Sequence, residues 1–154
     1  MANTQAMCTS FMGELMTGTH NFTTGTGDTF KAALYLSSAT YNAATTAYSA
    51  TGEVSSSGTN YTAGGITVTN GTSPTATNSS STAGTAYWTP TASLTYSNVT
   101  LTTAFNCVLI YNSSKSNKAV SVHTFGDQTI TAGTFTLTMP SNTTSTALIR
   151  LATT

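Results

Sequence analysis

The 154-residue sequence contains very few charged residues. Four basic and four acidic residues make up 5% of the chain, and the formal net charge is zero, whereas charged residues make up roughly a quarter of an ordinary soluble domain. Without a cluster of Lys or Arg the chain cannot neutralise phosphates, which argues against nucleic acid as a partner. A net charge near zero favours association. A hydroxyl-rich, weakly charged chain of this kind suits a protein that works inside a larger assembly.

The residues that enzymes use for chemistry are also scarce. The chain has two histidines, His20 and His123, and its acids are Glu14, Asp28, Glu53 and Asp127. It has no metal-ligand spacing such as HxH or CxxC, no GxSxG motif and no phosphate-binding glycine motif. A hydrolytic triad could be assembled only from His123, Asp127 and one of the many serines. The sequence therefore predicts a non-enzymatic protein that needs no metal or cofactor.

The two cysteines form no recognisable motif. Cys107 lies in an apolar run and is predicted to be a buried, inert thiol, although counting alone leaves a disulfide between Cys8 and Cys107 open. The first residues lack the basic and apolar regions of a signal peptide, and no apolar stretch has the length of a membrane span. We expect synthesis in a cytoplasm and no membrane partner.

The longest apolar run is FNCVLIY at residues 105–111. It has the length of one strand and is rich in β-branched and aromatic residues, which is typical of a strand buried on both faces. Alternating segments lie before it at 94–102 and, after a polar turn at 112–117, at 120–122. We predict three consecutive antiparallel strands, with the middle strand at the centre of the core.

Other short segments alternate apolar and polar residues in the manner of half-buried strands. They lie at residues 29–36, 66–69, 85–89, 134–139 and 147–151, and the predicted loops are 17–28, 37–50 and 70–84. Seven or eight short strands with turn signals between them indicate an all-β fold, an antiparallel β-sandwich or jelly-roll-like domain. We place this β-sandwich domain at residues 28–154.

The N-terminal segment, residues 1–27, combines one helix or arm with a Thr/Gly loop. A helix is predicted over residues 4–17, with Thr4 as its N-cap and Gly18 after its end. The helix either covers an edge of the sheet or docks onto a neighbouring subunit. The candidate assembly interface consists of Phe11, Met12, Leu15 and Met16, because methionines and a phenylalanine make an adaptable apolar surface. Under this interpretation a chain lacking residues 1–18 keeps its β-domain folded and loses binding.

Several segments together resemble a known group of proteins. These segments are DTFKAALY (28–35), TGEV (51–54), YTAGG (61–65), VTLT (99–102), VLIYN (108–112) and FG (125–126). Their combination resembles small structural proteins of tailed-bacteriophage virions, of the head decoration or cement type, over residues 28–151. The motifs are scaffold segments of moderate specificity.

The resemblance implies a β-rich protein, a homotrimer on the outer capsid surface of the virion. Its partners would be the major capsid protein and its own copies, and it would clamp neighbouring capsomers. The family offers no catalytic residues to carry over. Its pattern has a charged residue, often Arg, shortly after the strand that ends at Thr102. Thr103 and Ala104 stand there in this chain, so no particular salt bridge to the capsid follows.

The alternative interpretation is a tail or fibre component that binds a glycan of the host surface. Aromatic residues in or near the predicted loops could stack on sugar rings. These residues are Tyr41, Tyr48, Tyr61, Tyr87 and Trp88.

Overall fold

The computed structural model describes residues 2–78 and 83–153 and has an all-β, sandwich-like fold. A five-stranded antiparallel sheet has the order β1-β7-β6-β2-β3, and a three-stranded antiparallel sheet has the order β4-β5-β8. The predicted fold class is confirmed. The elements are β1 Ala6–Met7, α1 Thr9–Met16, β2 Phe30–Leu36, β3 Ile66–Thr67, β4 Thr75–Asn78, β5 Gly84–Trp88, β6 Leu94–Asn112, β7 Lys118–Leu137 and β8 Ile149–Ala152.

A single long hairpin replaces the three central strands that the sequence predicts. Strand β6 has 19 residues and β7 has 20, and they pair antiparallel along their length. Thr103 and Ala104 offer no turn residue, so β6 continues through them, with a register shift between Leu101 and Phe105. Gly126 and Gly133 lie within β7, whose pairing with β6 shifts register at four places in this half of the hairpin. At each β-bulge, extra residues of one strand are accommodated without ending the strand in a turn.

The middle of β6 is buried on both faces, as predicted. Five of its residues, Phe105, Cys107, Val108, Leu109 and Ile110, are fully inaccessible to solvent. They lie between β2 on one side and β7 on the other. The predicted polar turn follows β6 and connects it to β7. The apolar run is therefore the centre of the five-stranded sheet.

Strand β2 is buried on both faces too, whereas its alternation predicted a half-buried strand. Ala33 and Tyr35, on the face expected to meet solvent, are fully buried. The Tyr41 ring lies 3.8 Å from the Tyr35 ring, and the Tyr35 hydroxyl donates a hydrogen bond to the Ser49 carbonyl at 2.7 Å. The loop 37–50 thus folds back over the strand, which a local pattern does not reveal.

The N-terminal helix is shorter than predicted. It spans Thr9–Met16, and its N-cap is Cys8 rather than Thr4. Residues before it form β1, in which Ala6 pairs with Val122 of β7, and the Thr4 N–H donates to the Tyr41 carbonyl at 2.8 Å. Pairing with a distant strand holds these residues extended, so the helix starts four residues or more beyond its predicted start.

The predicted loop at 70–84 contains a strand. Thr75–Asn78 forms β4 and pairs with β5, while residues 79–82 lie outside the described residues. Strand β8 pairs with the other side of β5, with Ile149 opposite Trp88. The predicted strands at 85–89 and 147–151 thus correspond to β5 and β8.

Residues on both sides of the predicted domain boundary at residue 27 share one aromatic core. The Phe22 ring stacks on Phe30 at 4.3 Å and lies 4.8 Å from Trp88, while Phe11 meets Phe22 edge-on at 6.0 Å. The boundary itself stays a prediction. However, removing residues 1–18 would take Cys8 and Phe11 out of this core, so we no longer expect the shortened chain to keep its stability.

We expect Phe11→Ala to lower the free energy of unfolding by about 3–5 kcal/mol, because it leaves a cavity in the core. Met12→Ala, at the exposed neighbouring position, should change it by less than about 0.5 kcal/mol. Urea unfolding of both variants measures the difference. Equal effects would show that α1 does not pack as described.

Glycine should be more stable than alanine at position 132. Ala132 lies at φ 47° in an exposed bulge of β7, and the left-handed region costs a residue with a Cβ roughly 1–2 kcal/mol. We expect Ala132→Gly to raise the free energy of unfolding by about 0.5–1 kcal/mol, since glycine's extra entropy offsets part of the gain. The matched Ala76→Gly in β4 should instead lower the free energy of unfolding. A change of the same sign in both variants would contradict backbone strain at Ala132.

Candidate functional site

The four residues of the candidate interface lie on two adjacent stripes of α1. Phe11 is fully buried and Leu15 is half-buried, four residues further along the same inward stripe. Met12 and Met16 form the second stripe and are 45% and 86% exposed. Residues four apart share a helix face, so the stripes divide the set. Phe11 is therefore removed from the candidate contact surface, because its ring fills the core.

An apolar groove lies between α1 and the three-stranded sheet. It has a volume of about 90 Å³, and its lining includes Leu15 from the helix and Ala86, Ile149 and Leu151 from β5 and β8. None of the described residues that line it is charged. Leu151 is 47% exposed, and together with Met12 and Met16 it completes the set of exposed large hydrophobic side chains in the described part of the chain. Exposed hydrophobicity is thus concentrated on α1 and at this groove.

A charged network anchors α1 and the following loop to the hairpin turn. The Glu14 carboxylate accepts hydrogen bonds from His20 Nε2, at 2.7 Å, and from Lys118 Nζ. The Asn112 amide donates to Asp28 Oδ2 at 2.7 Å and lies 3.0 Å from His20 Nδ1. Lys115 completes the network, with its Nζ 3.7 Å from Asp28 Oδ1. The His20 side chain is fully buried, so the network is part of the packed structure.

Both carboxyl groups of this network are held in the ionised form. For Glu14, burial raises the pKa, but hydrogen bonds from Lys118 and His20 outweigh it and bring the pKa below its usual value. For Asp28, burial is likewise outweighed by the backbone N–H of Asn21 and the Asn112 amide, so its pKa is also lowered. The network is therefore most stable at pH values at which both carboxyl groups are ionised.

A second polar cluster surrounds Glu53. Its carboxylate accepts hydrogen bonds at 2.7 Å from the Tyr48 hydroxyl, the Tyr61 hydroxyl and the Gly64 N–H. The Tyr111 hydroxyl donates to the Gly64 carbonyl at 2.8 Å. Burial and the contact with Glu53 raise the pKa of both Tyr48 and Tyr61. These contacts fix the long connection between β2 and β3, and no sequence spacing indicates them.

Most of the aromatic residues proposed to stack on sugars are engaged within the molecule. Tyr41, Tyr61 and Trp88 are buried, and the Trp88 Nε1–H donates to Asn70 Oδ1 at 3.0 Å. Tyr48 is half-buried and its hydroxyl donates to Glu53, while Tyr87 is half-buried at the apolar groove. The glycan-binding alternative therefore retains only Tyr48 and Tyr87 as partly exposed rings.

The triad that could be written from the sequence does not form. His123 Nε2 lies 2.8 Å from the Ser121 hydroxyl, but Asp127 accepts hydrogen bonds from Ser37 and Asn106 instead. His123 is half-buried, and burial lowers its pKa to about 4. The imidazole is thus neutral near pH 7 and has no carboxylate to orient it.

The two cysteines lie in an environment that disfavours thiol reactivity. Cys8 and Cys107 are free and buried, and burial raises their pKa values to about 11 and about 12, which is the environment of an unreactive thiol. Among residues 2–78 and 83–153, no group of three or more His, Cys, Asp or Glu side chains could hold a metal ion. In the same ranges no helix is long and apolar enough to cross a membrane.

Comparison with protein-family models, with curated proteins and with solved structures finds no match for this chain. Its functional interpretation therefore rests on the residues and contacts described above.

We expect the free energy of unfolding to fall as the pH is lowered below about 5. A carboxyl group whose pKa is lower in the folded than in the unfolded chain contributes stability above its unfolded pKa, and this contribution disappears as the pH falls through the folded pKa. Glu14→Gln should flatten this dependence. It should also cost about 1–3 kcal/mol at pH 7, because Lys118 loses its charged partner.

Urea unfolding between pH 2 and pH 7 measures both effects. Asp127→Asn removes a carboxylate outside the network and serves as the matched control. A pH dependence that is the same in Glu14→Gln and in the parent protein would show that Glu14 does not stabilise the fold through its charge.

Proposed function

We propose that this protein is a non-enzymatic structural protein of a bacteriophage virion, a decoration or cement protein that binds the outer capsid surface. The observation that carries this proposal is the position of the exposed hydrophobic side chains. Met12, Met16 and Leu151 lie on α1 and at the apolar groove, on a molecule otherwise covered with small and hydroxyl-bearing residues. Exposed apolar side chains gathered in this way mark protein contact surfaces.

The distribution of charge supports the same function. Four of the eight charged side chains, Glu14, Asp28, Lys115 and Lys118, are used within the charged network. The groove itself is lined without charge. Contact with a partner would therefore not remove unpaired charges from water, which is the most costly part of forming an interface. Surface hydroxyl groups can supply hydrogen bonds at the rim.

The contact surface is also ordered before any partner arrives. Phe11 fixes α1 in the core, and Glu14 joins the helix to the hairpin turn through His20 and Lys118. A preorganised surface loses little conformational entropy on binding. The proposed partners are the major capsid protein and further copies of this chain in a homotrimer. Several such contacts made together would hold the protein firmly even if each one is modest.

The copy number of the chain in purified virus particles tests the proposal directly. Quantitative mass spectrometry relative to the major capsid protein should give a ratio near one copy per capsid subunit. A few copies per particle would place the protein at the tail or a vertex, and its absence from particles would remove the virion function.

The contact surface is tested with the double variant Met12→Ser, Met16→Ser. Because both side chains are exposed, the fold should persist, whereas burial of a methionine in an interface is worth roughly 1.5–3 kcal/mol. We expect binding to particles that lack the protein to weaken at least about tenfold in a co-sedimentation assay. The control is Thr102→Ser, Thr103→Ser, on an exposed part of β6. Unchanged binding of the methionine variant would exclude this face.

A further inference from the structure

A second cleft lies on the side of the sandwich, between the two sheets. Its walls come from β1 and β7 of the five-stranded sheet and from β8 with the residues before it, and its volume is about 350 Å³. Ser121, His123 and Arg150 line it, together with the apolar side chains of Met7 and Leu148. Within residues 2–78 and 83–153, no acidic side chain lines this cleft. It therefore combines a cation and polar hydrogen-bonding groups with apolar walls.

The cation in this cleft is available for binding. Arg150 is exposed, and its side chain donates one hydrogen bond, from Nη1 to the Thr144 carbonyl at 3.2 Å. Within the described residues it takes part in no ion pair. A guanidinium has five N–H donors in a planar fork that matches the two oxygens of a carboxylate. Most of these donors remain free for a ligand.

The pair formed by Ser121 and His123 supplies a further donor in either tautomer. If the Ser121 hydroxyl donates to His123 Nε2, the imidazole carries its proton on Nδ1, and that N–H is free. If Nε2–H donates to Ser121 Oγ, the serine hydroxyl proton is free. A neutral imidazole has one N–H and one acceptor nitrogen, so the pair retains one donor for an acceptor atom in the cleft.

We propose that this cleft is a binding site for a small organic carboxylate, which Arg150 holds by its guanidinium and the Ser121–His123 pair by its spare donor. The apolar walls take the body of the ligand. A volume of about 350 Å³ lies at the small end of known ligand sites, which fits a molecule of about the size of benzoate. The cleft shares Ile149 with the apolar groove, but the proposal does not depend on the proposed capsid contact.

The test is a titration of the full chain with benzoate, followed by ¹H–¹⁵N NMR. Saturable shifts are expected at the amides of Ser121, His123 and Arg150, and benzyl alcohol, which has the same ring without the charge, should produce none. Arg150→Gln should raise the Kd for benzoate at least about tenfold. Arg150 is exposed, so a spectrum unchanged elsewhere would verify that the variant is folded. Lys115→Gln, which removes an exposed cation that does not line the cleft, should leave the Kd unchanged.

Several results would overturn the proposal. One is the absence of saturable shifts with benzoate, and another is an equal loss of affinity in Lys115→Gln, which would indicate attraction by overall charge. Equal binding of benzyl alcohol would show an apolar cleft without carboxylate recognition. Equal binding of inorganic phosphate would show a general anion site.

Discussion

The structure depends on the burial of the middle of β6 on both of its faces. A strand buried in this way needs a hydrogen-bonded neighbour on each side and a packed layer above and below it. Strands β2 and β7 are the neighbours. The layers over the neighbouring strand β2 come from distant parts of the chain: Phe22 and Trp88 cover Phe30 on one face, and Tyr41 covers Tyr35 on the other. The helix, the loops and the second sheet all serve this requirement.

With so little charge in the chain, the charged side chains that exist have structural consequences. The network from Glu14 to Lys118 and from Asp28 to Asn112 joins the N-terminal segment to the hairpin turn. Together with the burial of Phe11, it holds α1 in a rotation that leaves Met12 and Met16 exposed. Polar contacts and core packing thus act together on the position of the exposed hydrophobic side chains. The proposed contact surface is a consequence of this internal arrangement.

Sequence patterns within short segments predicted those features of the fold that depend on interactions between neighbouring residues. The apolar run at 105–111, the polar turn after it and the all-β class follow from composition and periodicity. The start of α1 could not be predicted in this way, because the residues before it pair with Val122, more than a hundred residues away. The burial of Phe11 and the hydrogen bond from Lys118 to Glu14 also depend on contacts between residues distant in sequence. A glycine in a bulge, such as Gly126, and a glycine in a turn look alike in sequence.

The irregular hairpin has a consequence for colloidal behaviour. Strand β1 covers two residues of β7, and within the described residues the far half of β7 has no neighbour on its outer edge. An open edge invites strands of other copies to join the sheet, and a chain of zero net charge has no overall repulsion to prevent it. The register shifts and the left-handed Ala132 kink this edge. A kinked edge is a poor template for intermolecular sheets, so the backbone geometry opposes the edge-to-edge pairing that charge repulsion does not.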